Sequence, residues 1–165
     1  MSKKDSLLFV GFMGCGKTTI ARAYAEKYDK FFLDTDCLIK DKFNLEISEF
    51  FKIYGEKKFR KEEKKLLTFL ANTQNCSIAS GGGFIQQKGL KNIGKIVYLQ
   101  ASFEYIIQRL KQKELSARPL LANPNNAKML FKQRIKKYEK KADIIINIEN
   151  KSIKKIIKEI KKEVK

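Results

Sequence analysis

Short apolar runs alternate along the chain with longer stretches in which apolar residues return every three or four positions, and this alternation predicts strands and helices in turn. Leu7-Leu8-Phe9-Val10 forms the centre of a buried strand over residues 6–11, and residues 17–28 carry Ile20, Ala21, Tyr24, Ala25 and Tyr28 on one helical face. Phe31-Phe32-Leu33 predicts a short second strand ending in Asp34-Thr35-Asp36. Helical patterns follow over about 37–43, 46–54 and 56–72; Ser48 or Asn44 is the candidate cap of the second, and Phe59, Leu66, Leu67 and Leu70 line one side of the third. A third strand, residues 76–80, runs into Gly81-Gly82-Gly83, and Ile96-Val97-Tyr98-Leu99 predicts a fourth. Phe103, Ile106, Ile107 and Leu110 then stripe a helix at i, i+3, i+4, i+7. Between about Lys113 and Asn126 the periodicity lapses around Pro119 and Pro124, which predicts a mobile loop. A helix over 127–141, a strand over 143–148 and a helix over 152–164 complete the chain. The last helix, with Ile153, Ile156, Ile157, Ile160 and Val164 set against lysines, reads as a cover for the sheet rather than a membrane-surface element. Strands alternating with helices imply an α/β fold: three layers, α/β/α, around a five-stranded, mainly parallel sheet.

At 165 residues the chain is sized for one domain with its own core. Cys15, Cys37 and Cys76 are odd in number and lack C-x-x-C spacing, so neither a zinc site nor a disulfide framework is expected. No apolar run is long enough for a signal-peptide core or a bilayer span, so a cytoplasmic protein without membrane contact is expected. Histidine is absent, which leaves carboxylates, lysines and arginines for any chemistry. A net charge of +18 invites a nucleic-acid partner. However, the lysines spread from Lys3 to Lys165 over the polar sides of helices, so no nucleic-acid role is expected; the positive surface would steer small anions inward.

The first strand and helix are joined by Gly11-Phe12-Met13-Gly14-Cys15-Gly16-Lys17-Thr18, which fits G-x-x-x-x-G-K-[ST] in full and in the right context. Its glycines let backbone N–H groups turn inward around a phosphate, and the following helix aims its unpaired N–H groups at the same anion. Lys17 is placed to reach β- and γ-phosphates, and Thr18 to offer a hydroxyl to Mg²⁺.

In an open parallel sheet ligands bind at the carboxyl ends of the strands. There the P-loop, Asp34-Thr35-Asp36 and the triple glycine fall together. Asp34 or Asp36 could serve only as a helix cap. Beside a P-loop that needs a metal partner, the pair is expected to divide between metal and substrate. Only five of the 36 basic residues are arginine: Arg22, Arg60, Arg109, Arg118 and Arg134. In a chain that uses lysine for charge, an arginine points to bidentate recognition of carboxylate or phosphate. Arg134 shares a helical face with Ala127, Phe131 and Tyr138 and needs an anion there. Glu63 is spaced to orient Arg60, and Arg118 lies where a closing lid would bring it onto phosphates. Arg22 is expected on the surface, and Arg109 is left open.

Six segments in order resemble the shikimate kinase family, within the nucleoside-monophosphate-kinase-like P-loop fold. They are GFMGCGKTT, DTD at 34–36, FRKEE at 59–63, SGGG at 80–83, RPLL at 118–121, and R-x-x-x-Y-x-x-x-A-D from Arg134 to Asp143. The resemblance implies phosphorylation of the shikimate 3-hydroxyl by ATP with Mg²⁺. It assigns ATP to Gly14, Cys15, Gly16, Lys17, Thr18, Thr19 and Arg118, and the metal to Thr18 and Asp34. The substrate falls to Asp36, Arg60, Gly82 and Arg134, and catalysis to Lys17, Asp36 and Arg118. It further implies a substrate-binding helical segment at about 35–62, a lid at about 113–124, adenine near 148–152, and a monomer. Cys15 stands where the family commonly has alanine or serine. Two alternatives are carried: a gluconate or nucleotide kinase of the same fold, and a basic P-loop switch acting on nucleic acid.

Overall fold

The computed structural model describes residues 5–110 and 121–164. Five strands, β1 (Leu7–Val10), β2 (Phe31–Asp34), β3 (Cys76–Ala79), β4 (Lys95–Gln100) and β5 (Ile144–Asn147), form one sheet in the order β2-β3-β1-β4-β5. Every pairing is parallel, with Leu8 opposite both Ile78 and Ile96. The central strands read as unbroken apolar runs because both of their faces are covered, whereas β5 alternates buried and exposed residues at the sheet edge.

Helix α1 (Lys17–Lys27) follows β1 and buries Ile20, Ala21, Tyr24 and Ala25, the predicted face. Helix α2 (Thr35–Phe43) starts two residues earlier than its periodicity indicates, because the Asp34 carboxylate caps it by accepting from the N–H groups of Asp36 and Cys37. Asn44, a candidate cap for the next helix, instead closes α2 in a left-handed conformation. Helix α3 (Ile47–Leu70) joins the two predicted helices 46–54 and 56–72 across a break at Gly55, which sits at φ 75°. Its cap is neither Ser48 nor Asn44 but a reciprocal pair in which Glu46 and Glu49 each take the other's backbone N–H.

Helix α4 (Phe103–Arg109) is capped by Ser102, and α5 (Pro124–Lys141) by Asn123. Pro124, read in sequence as part of a loop, is the first residue of α5, where its missing N–H costs nothing. Helix α6 (Ile153–Val164) turns Ile156, Ile157 and Ile160 into the core, as a covering helix should. No helix among the described residues is long and apolar enough to cross a membrane. Residues 113–120 of the expected lid lie outside the described residues.

The core runs continuously from the sheet to the site. Phe12, within the P-loop, is buried and meets Phe131 of α5 edge-on at 5.1 Å, with Phe103 of α4 at 6.5 Å. Tyr98 of β4 stacks on Tyr138 of α5 at 5.1 Å. The Phe12–Phe131 contact fixes α5 against the P-loop. A second apolar cluster, Ile39, Phe50 and Phe59, joins α2 to α3.

Candidate active site

The P-loop leaves β1 and wraps into α1. Gly14 and Gly16 lie at φ 85° and 90°, in the left-handed region where a Cβ is penalised. Alpha-helix α1 has neither a side-chain cap nor an acidic residue in its first turn, whereas α2, α4 and α5 are capped by side chains. Its N–H groups and positive dipole end are therefore left to an anion. The Lys17 ammonium is buried and donates to the carbonyls of Gly11 at 2.8 Å and Phe12 at 3.0 Å. Cys15 is fully buried, and its Sγ would lie 2.7 Å from a Cβ at Gly11, so the thiol packs inside the loop rather than facing ligand.

Asp34 does two jobs at once. One oxygen caps α2, and the other accepts a hydrogen bond from the Thr18 hydroxyl at 2.9 Å. A hydroxyl and a carboxylate oxygen side by side at the phosphate end of α1 are hard donors of the type Mg²⁺ takes in small number, the rest being water and phosphate. The residues fit that ion, although the described residues contain no cluster of three or more metal-ligating side chains.

The triple glycine organises the second half of the site. A Cβ on Gly81 would collide with the Asp36 carboxylate. On Gly82 it would lie 3.0 Å from Arg134 Nη1, and on Gly83 2.5 Å from Arg60 Nη1. None of the three has the positive φ that demands glycine, so they are there to let three charged side chains approach the backbone. The Tyr138 hydroxyl donates to the Gly82 carbonyl at 2.7 Å and holds this loop from the α5 side. Thr35 holds it from α2, accepting from the Gly81 N–H at 2.8 Å. Asp36, Arg60 and Arg134, drawn from three helices, thus converge on the glycine run, where Gly82 lies close to the P-loop backbone at Met13.

Their electrostatics differ. Burial, then the neighbouring Asp34 charge, pushes the Asp36 carboxyl up to about 6, with Lys17 and Arg60 opposing and Glu63 adding to the rise. Burial would lower the Arg60 pKa, but hydrogen bonds and charge from Glu63 and Glu56 reverse this and raise it. Arg60 donates to Glu63 at 2.9 Å and to Glu56 at 2.9 Å. Arg134 has no carboxylate within ion-pair distance among the described residues; it is 7% exposed, its Nε has no partner, and burial lowers its pKa. It is a desolvated cation set against Gly82, on the inward face where the sequence places it.

Sequence reasoning left Arg109 open, and Arg118 lies outside the described residues. The Arg109 guanidinium sits over the P-loop, 3.6 Å from where a Gly16 Cβ would be, and against the Tyr105 ring at 5.7 Å. The rarity of arginine was the available signal. Arg22, expected at the surface, is exposed and stacks on Phe32 at 4.2 Å. Residues 148–152 are pinned to α4: the Asn150 N–H donates to the Tyr105 hydroxyl at 3.2 Å, and Glu149 accepts from the Ser102 N–H at 2.6 Å. Glu63 is 1% exposed; its Oε2 accepts from Arg60, and its Oε1 has no hydrogen-bond partner among the described residues.

The shikimate kinase family model matches residues 13–165. A curated shikimate kinase of Lactococcus lactis subsp. lactis is 37% identical over 160 residues, spanning 94% of this chain and 96% of that protein. Among solved structures, shikimate kinase from Acinetobacter baumannii in complex with shikimate has a TM-score of 0.87 at 30% identity, over 99% of this chain and 93% of that one. A gluconokinase from Sinorhizobium meliloti has a TM-score of 0.61 at 14% identity, over 98% of this chain and 91% of that one, a likeness of fold alone.

Proposed function

The chain belongs to the shikimate kinase family, and we propose that it transfers the γ-phosphoryl group of ATP to the 3-hydroxyl of shikimate, giving shikimate 3-phosphate and ADP. The observation that carries the reading is the triple glycine set against one carboxylate and two guanidinium groups beside a P-loop. A small substrate with one carboxylate and several hydroxyls suits that complement; gluconate carries the same groups, and the family match is what favours shikimate over it.

In this reading the backbone of Gly14, Cys15 and Gly16, with Lys17, Thr18 and Thr19, holds the ATP phosphates. Lys17 exchanges its two carbonyl partners for β- and γ-phosphate oxygens. Thr18 and Asp34 would hold Mg²⁺, which neutralises charge on those oxygens when bound. Arg134 and Arg60 take the substrate carboxylate, and the Gly82 backbone lies against the ring. Asp36 accepts the 3-hydroxyl proton as that oxygen bonds to the γ-phosphorus and the β–γ bridging oxygen leaves with ADP. A carboxyl near pKa 6 is better matched to this task at neutral pH than one near 3.8. Arg118 would meet the phosphates from the lid, Arg109 would lie over the bound nucleotide, and residues 148–152 would border the adenine. The reading includes a monomer acting in the cytoplasm without nucleic acid or membrane, its lysines serving as solvated helix faces.

A coupled ADP-release assay with shikimate, gluconate and AMP tests this. Turnover is expected with shikimate alone; turnover with gluconate or AMP in its place would refute the reading.

A further inference from the structure

Glu62 takes no part in the site described above, yet its side chain is 2% exposed and carries three lysines. Lys58 at 3.2 Å and Lys65 at 3.1 Å share one carboxylate oxygen and come from its own helix, four residues before and three after. Lys42 at 2.8 Å holds the other oxygen, and it comes from the last turn of α2. The Lys42 hydrogen bond is the main reason that the Glu62 carboxyl is pulled down to about 2, which keeps it charged across the neutral range. Of the three bonds to Glu62, this one alone comes from another helix.

The two helices it joins each bring a charged group to the glycine run, Asp36 from α2 beside Gly81 and Arg60 from α3 beside Gly83. Helix α2 carries Asp36 in its first turn, and α3 presents Arg60 two residues before Glu62. The next residue, Glu63, fastens α3 on its other side, accepting from Arg60 at 2.9 Å and from Gln87 Nε2 at 3.1 Å in the turn after the glycines. Two successive acids thus tie α3 in two directions: Glu63 to the glycine loop, and Glu62 to the helix that holds the carboxylate. The apolar contacts between α2 and α3 are non-directional; Lys40 of α2 pairs with Glu46 where α3 begins, and the Lys42–Glu62 bond is the charged tie further along α3, at the level of Arg60, that fixes how one helix lies along the other.

We propose that Glu62 is a positioning residue, which through Lys42 sets the placement of Asp36 relative to Arg60 and so tunes affinity for the hydroxylated carboxylate substrate. The inference rests on the shikimate reading, and wild-type turnover of shikimate checks that reading separately, before any variant is made. The variants are Lys42→Met, Lys42→Arg, Glu62→Gln, Lys58→Met and Lys65→Met, with KM measured for shikimate and for ATP and thermal unfolding recorded for each. Lys42→Met and Glu62→Gln are expected to raise the shikimate KM at least about fivefold while the ATP KM stays within about twofold, because the P-loop belongs to neither helix. Lys42→Arg, which keeps charge and reach, should recover most of the loss. Lys58→Met and Lys65→Met should leave both KM values within about twofold. A purely structural bond would lower the unfolding temperature and leave the KM values alone. The proposal is overturned if Lys42→Met leaves the shikimate KM within about twofold of wild type, or if Lys58→Met raises it as much. Lys42 is exposed, so this variant tests the idea even if Glu62→Gln fails to fold.

Discussion

Asp36→Asn should make the protein more stable and inactive, and the gain should depend on pH. Burial and the Asp34 charge raise the folded carboxyl from 3.8 to about 6. A raised carboxyl pKa favours the protonated fold, so its contribution is present in full below 3.8 and is lost as pH rises through about 6. At 1.36 kcal/mol for each tenfold change in proton affinity, the wild type forfeits about 3 kcal/mol by pH 8, and asparagine, which cannot ionise, avoids that loss. For a domain of this size the variant should unfold on the order of 10 °C higher at pH 8, with little difference near pH 4. Thermal unfolding in EDTA without nucleotide at both pH values measures the gap, and ADP release measures activity. The wild-type kcat/KM for shikimate should fall as pH drops below about 6. A difference in unfolding temperature that is the same at pH 4 and pH 8 would refute the desolvated charge; near-normal kcat in Asp36→Asn would remove Asp36 from the chemistry.

Three further outcomes follow from the geometry. Arg134→Lys should raise the shikimate KM at least about tenfold, on the order of 1.4 kcal/mol, since an ammonium cannot replace the fork; an unchanged KM would exclude the carboxylate role. Gly83→Ala puts a Cβ 2.5 Å from Arg60 Nη1 and 2.8 Å from its Cζ, so the guanidinium must leave. The shikimate KM should then rise about tenfold with the ATP KM unaffected, and equal effects on both substrates would point to general damage. Arg109→Ala should raise the ATP KM and leave that for shikimate alone, which initial-rate kinetics in the two substrates will separate.

Strands and P-loop could be read from the sequence because each rests on a local pattern: apolar runs for β1, β3 and β4, and a fixed glycine and lysine spacing for the loop. Arg60 and Arg134 could be picked out because guanidinium is costly to bury and rare in this chain. What escaped was set by contacts between distant segments. Asp34 suits either a cap or a metal partner by sequence, and in the structure one oxygen caps α2 while the other is left to the Thr18 hydroxyl. Asn123-Pro124 was a legible start signal for α5, but it was hidden by a periodicity that begins only at Ala127. Adjacent acids at 62 and 63 look like solvated charge on any helix; their burial depends on Lys42 and Gln87, brought from α2 and from the turn beyond β3. In sequence the glycine run marks only a strand end on the ligand side of the sheet, whereas in the structure each glycine makes room for a particular side chain.

Arg134 keeps a positive charge in a buried recess with no carboxylate within ion-pair distance among the described residues, and this bears on how the protein is handled. Acetate, citrate or malonate in a purification buffer offers the carboxylate that the recess lacks, and such salts should raise the melting temperature while competing with substrate. Kinetic constants taken in zwitterionic amine buffers and in citrate would then describe two differently occupied proteins.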